Sequence, residues 1–124
     1  PIVRGGRDNI AALISGAGTA WGTGAYMWVS SSTAGHNPAS TWFGPAGASP
    51  SCMEATYPLR SANILQYRGL WSTTEANFEW NQWGVGDATS TSAGELLNMS
   101  NKSCFIQKTN QQSVQFTTCV TITT

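Results

Sequence analysis

Few residues in this chain could carry chemistry, and their spacing works against most of it. The sole histidine, His36, lies in Gly35-His36-Asn37-Pro38 with no Cys, Asp or Glu beside it. A nucleophilic Ser-His-Asp or Cys-His arrangement would have to recruit Cys52, Cys104 or Cys119 by long-range folding, so a turn is the expected place for His36. Glu75 and Glu79 stand four residues apart with Trp80 and Trp83 nearby, and paired carboxylates with sugar-stacking rings suit glycoside hydrolysis. On one extended strand, however, a rise of ~3.3 Å per residue holds them about 13 Å apart, too far for either hydrolase geometry. A divalent metal shared with Asp87 needs more converging oxygens than the six acidic residues readily supply. The expectation is no enzyme activity, no cofactor and no metal.

The remaining motifs point the same way. Three cysteines separated by 52 and 15 residues match neither a disulfide scaffold nor a zinc-ligand spacing, which predicts free thiols. Gly16-Ala17-Gly18-Thr19 and Trp21-Gly22-Thr23-Gly24 lack the Gly-Lys-Ser/Thr end of a phosphate loop and read as turns. Asn98-Met99-Ser100 and Asn101-Lys102-Ser103 match the glycosylation pattern. No basic and then apolar leader follows Pro1, so these matches are read as chance. The six tryptophans fit a sandwich core first, then anchors at a subunit interface, then platforms for sugar rings.

With 124 residues the chain suits one hydrophobic core. Only 12 residues are charged, whereas Ser, Thr, Asn and Gln number 43, so hydroxyls and amides must cover the surface. A net charge of zero without a Lys/Arg cluster gives no field to gather phosphates, and nucleic-acid binding is not expected. Apolar runs such as residues 10–14 fall far short of the ~20 residues that cross a bilayer.

Residues 1–24 read as an N-terminal arm with a short helix, capped at Asp8, running to Ile14 and stopped by Gly16. From Ala25 the period becomes two. Tyr26 and Trp28 alternate with Met27 and Val29, as in a strand buried on both faces. Residues 33–58 hold Pro38, Pro45, Pro50 and Pro58 and read as a long Gly/Pro-rich loop. Residues 63–71 form a strand with Leu65, Tyr67 and Trp71 on one face. Phe78 and Trp80 share one parity and Trp83 and Val85 the other, which predicts a bulge at Asn81-Gln82. Trp80 and Trp83 are then expected on opposite faces, one in the core and one toward a neighbouring element or subunit. A turn at 87–94, short strands at 96–99 and 104–108, and a last strand with Val114, Phe116, Thr118, Val120 and Ile122 on one face complete the reading. The predicted fold is all-β: an antiparallel β-sandwich of about six to eight strands spanning residues 25–124, behind the arm.

Gly6-Arg7-Asp8-Asn9-Ile10-Ala11-Ala12-Leu13-Ile14, Met53-Glu54-Ala55-Thr56-Tyr57-Pro58, Thr74 to Val85, Met99, Lys108-Thr109 and the terminal Val-Thr-Ile-Thr strand together resemble small β-rich virion proteins of tailed bacteriophages. The similarity follows the chain in order, and Glu75-Ala76-Asn77-Phe78-x-Trp80-Asn81-x-Trp83-Gly84-Val85 is its specific part. It implies a non-enzymatic virion component, assembled in the host cytoplasm. The expected role is a capsid decoration or cement protein bound to the major capsid protein or another virion protein. A tail or head-fibre component contacting the host and a carbohydrate-binding module are the alternatives. Phe78, Trp80, Trp83, Phe116 and Val120 are the expected fold signature. Arg4, Arg7, Ile10 and Leu13 in the arm, with Trp42 and Phe43 in the loop, are the expected contact residues. The hydrophobic content, 40% of residues, exceeds what one small core hides and predicts a homo-oligomer, with a trimer favoured.

Overall fold

The computed structural model describes residues 2–18, 21, 22, 24–33, 48–87 and 96–123. Among these, one helix, α1 (Arg4–Ile14), precedes seven strands: β1 (Tyr26–Ser30), β2 (Ser49–Cys52), β3 (Leu59–Ser61), β4 (Ile64–Trp71), β5 (Glu79–Gly86), β6 (Leu96–Gln107) and β7 (Val114–Thr121). They form two antiparallel sheets, ordered β2-β1-β5-β6 and β3-β4-β7. The all-β sandwich is therefore the observed architecture. His36, Trp42, Phe43 and most of the turn after Asp87 lie outside the described residues.

Burial of β1 on both faces has a specific cause. Met27 and Val29 enter the core between the sheets, while Trp28 enters a second cluster with Val3, Leu96 and Met99. The arm supplies part of both clusters, because Val3 is buried in one and Trp21 in the other. Ile2 bridges Asn98, and the Val3 N–H donates to the Leu97 carbonyl at 3.2 Å.

That contact also moves the start of the helix. Asp8 does not cap it: α1 begins at Arg4 with Val3 at the cap position and no side-chain cap. The first turn is held instead by Gly6, where a Cβ would collide with the Leu97 carbonyl and come within 2.9 Å of the Leu96 carbonyl. The stop is as expected, with Gly16 at a φ of 90° just past the helix.

Three further expectations change. Residues 33–58 are not all loop, since β2 lies within them. Pro50 is tolerated because β2 is an edge strand. The strands expected at 96–99 and 104–108 are one strand, β6, whose register against β5 slips between Trp80 and Gln82. Cys104 there takes a φ of 47°, and Asn81 pins the irregularity. The Asn81 Oδ1 accepts the Cys104 N–H at 2.6 Å and its Nδ2 donates to the Ser31 carbonyl at 2.9 Å. The bulge sits where parity placed it, but Trp80 and Trp83 do not face opposite ways. Both meet Phe105 and Phe116, Trp80 at 6.1 and 6.4 Å between ring centroids and Trp83 at 4.7 and 5.8 Å. The slip turns the chain enough to bring residues of opposite parity to one core.

The two sheets are joined at a corner. The Ser51 hydroxyl of β2 donates to the Leu70 carbonyl at 2.8 Å and accepts the Leu70 N–H at 3.0 Å, and the Glu54 N–H donates to the Arg68 carbonyl. Gly69 permits this approach: a Cβ there would stand 3.0 Å from the Met27 Cβ and 3.1 Å from the Ser51 Cβ. Gly69→Ala is expected to destabilise the fold by about 1–3 kcal/mol through overpacking, seen as a lower urea midpoint at unchanged m. An unshifted midpoint would show that the corner is loose.

Candidate association surface

The most specific sequence block proves to be a hydrogen-bonded corner. The Glu75 carboxylate accepts the Ser72 N–H at 2.9 Å, and Asn77 Nδ2 donates to the Thr73 carbonyl at 2.9 Å. Ala76, at a φ of 53°, presents its carbonyl to the Trp80 indole N–H at 2.9 Å. Lys108, buried beside it, donates from Nζ to Asn77 Oδ1 at 2.6 Å and from its N–H to the Phe78 carbonyl at 3.2 Å. Glu75 therefore lies in this corner and Glu79 opens β5, so the two carboxylates do not share one strand. Their side chains are engaged separately.

Other candidate groups are likewise tied to structure. Asn98 is buried, with its Oδ1 accepting the Val85 N–H at 3.0 Å, which rules it out as a glycan acceptor in the folded chain. Cys52, Cys104 and Cys119 are free thiols. Desolvation and the adjacent Glu79 carboxylate, which also accepts from the thiol, push Cys104 up from the usual thiol range. Among the described residues no group of three His, Cys, Asp or Glu could hold a metal ion, and no helix is long and apolar enough to cross a membrane.

The expected contact residues divide in two. Arg4 and Arg7 are exposed, with Arg7 Nε 3.7 Å from the equally exposed Asp8 carboxylate. That surface pair contributes little to stability. Ile10 and Leu13 instead line a cleft of about 310 Å³ beneath α1, where the ends of the two sheets part. Its other walls include Ile2 of the arm and Leu65, Tyr67 and Ile122, the last three assigned to strand faces by sequence periodicity, which does not show that they meet. The one hydroxyl there, on Tyr67, donates to the Trp21 carbonyl at 3.0 Å. Of the lining residues Leu13 and Ile122 are 37 and 47% exposed, and Ile14, next to Leu13 in the chain, is 85% exposed. A second groove of about 340 Å³ runs between Trp83, Asn98 and Ser100 on one side and residues 118–121 of β7 on the other. The expected fold signature is core: Trp80 and Val120 are buried, and Phe78, Trp83 and Phe116 pack against them half-buried.

Two outcomes follow from this geometry. Trp71 Nε1 has no hydrogen-bond partner, although its ring lies 5.0 Å from that of Trp80. Trp80→Phe should therefore cost at least about 1 kcal/mol more than Trp71→Phe, measured by denaturant unfolding; equal losses would show that the Ala76 bond contributes nothing. Burial pushes Tyr67 from 10.0 up to about 12. Its neutral form is favoured in the fold, so its contribution is complete below pH 10 and is lost as pH rises toward 12. Tyr67→Phe should flatten stability over that interval, and an unchanged slope would contradict the assignment.

No family model matches the chain, and no curated protein or solved structure matches it either. Any functional reading starts from this geometry and from the sequence.

Proposed function

We propose that this chain is a non-enzymatic structural protein of a bacteriophage virion, a decoration or cement protein that docks on the lattice of the major capsid protein. The observation that carries the reading is the apolar end of the sandwich: an open cleft with no charged residue in its lining, where Leu13 and Ile122 are exposed, and exposed Ile14 follows Leu13 in the chain. Exposed apolar patches rimmed by polar residues mark association sites. The sequence resemblance to small virion proteins supplies the partner class. A surface covered by hydroxyls and amides suits close, repeated contact on a lattice, where like charges on neighbouring copies would repel.

Tail or fibre placement uses the same surface, and copy number separates the two. Sugar binding gains no support from the tryptophans: of the five described, four are buried, and Trp83 is packed against Phe105 and Phe116.

Quantitative mass spectrometry of purified particles should find hundreds of copies for a lattice role. A handful would point to the tail, and none would overturn the reading. Ile14→Asp, at an exposed site, should weaken binding to particles lacking the protein by roughly tenfold or more while leaving thermal unfolding unchanged. Undiminished binding would remove the cleft end from the docking surface.

A further inference from the structure

Four sheet edges are present among the described strands, and three carry protection against pairing with other chains. β2 is four residues long and contains Pro50. β3 is three residues long, follows Pro58 and contains Arg60. β6 is met at Asn98 by Ile2 and carries Lys102 and the irregularity at Cys104. The fourth, β7, has eight residues, Val-Gln-Phe-Thr-Thr-Cys-Val-Thr, with no charge, no proline and an unbroken register against β4. Proteins manage exposed edges with charges, prolines, bulges or short length; β7 uses none of these.

We infer that β7 pairs with β7 of a second copy of this chain, antiparallel and about a two-fold axis at Thr118. The Ile122 N–H donates to the Asn63 carbonyl, so in the alternating ladder Val114, Phe116, Thr118 and Val120 turn their backbone groups toward β4. Gln115, Thr117, Cys119 and Thr121 turn theirs to the open side. Centring the pair on Thr118 sets Phe116 opposite Val120 of the second copy, an aromatic against a β-branched residue. Thr117 then stands opposite Cys119 of the second copy, and Gln115 opposite Thr121. No residue from 109 to 124 is charged, so the contact has no like-charge pair along the strands. Arg68, which donates from Nε to the Thr117 hydroxyl at 2.7 Å, is one strand in from the edge. Its counterpart would be about 14 Å away, three strand spacings off. The groove beside β7 leaves room for the inward side chains of the added strand. Such a contact is isologous and closes at two copies, which replaces the trimer expected from hydrophobic content. It does not depend on the virion reading.

The full chain should sediment at twice its 13.2 kDa mass. With Cys52→Ser and Cys104→Ser, the two Cys119 side chains stand diagonally across the pair. A bismaleimide spanning about 7–8 Å should join most chains into covalent dimers. Cys119→Lys, at an exposed position, should yield monomer with unchanged thermal unfolding. A monomer at sub-millimolar concentration, or a dimer that Cys119→Lys leaves intact, overturns the inference. Should that variant misfold, hydrogen exchange of the unaltered chain decides. Protection of the Thr117, Cys119 and Thr121 amides that rises with protein concentration supports the pairing, and fast exchange at every concentration refutes it.

Discussion

An indole at the centre of two packed sheets needs an acceptor for its N–H, because a buried donor left unsatisfied costs about 1–3 kcal/mol. Trp80 has one, the Ala76 carbonyl, and much of the molecule follows from supplying it. The carbonyl points inward because residues 72–78 fold back on themselves with Ala76 in the left-handed region, held by Glu75, Asn77 and the buried Lys108. With Trp80 seated, Trp71 packs against it from β4, Phe105 from β6 and Phe116 from β7. One residue thus ties both sheets together. The side chains of Glu75, Asn77 and Lys108 are all engaged in this corner.

The same economy of charge shapes the exterior. With six acidic and six basic residues, the fold protects its strand edges mostly by proline, short length and the N-terminal arm. Among the described residues, the surfaces left without such cover are the apolar cleft end and β7. Both are neutral: neither the cleft lining nor β7 contains a charged residue.

Much of this was legible in the sequence where one physical rule acted alone. The alternation in β4 and β7 gave the strands and their inward residues, because a half-buried sheet imposes a period of two. The two-sided burial of Tyr26 to Val29 was legible too, although its cause, a second cluster closed by Val3, was not. Failures occurred where tertiary contact overrode local pattern. Asp8 has the chemistry of a cap, but backbone pairing of Val3 and close approach at Gly6 start the helix a full turn earlier. Pro50 argues against a central strand and is silent about an edge. The parity of Trp80 and Trp83 located the bulge but not the rotation that brings both rings to Phe105. The cleft was invisible because its walls come from the arm, β4 and β7, far apart in the chain.

The dependence of the core on the Trp80 corner is tested most directly by hydrogen exchange of the tryptophan indole protons, followed by NMR in the unaltered protein. The Trp80 indole proton should exchange only with global unfolding, at the rate set by the slowest core amides. Exchange as fast as that of a solvent-exposed indole, with the strands still protected, would show that the sheets hold together without that bond.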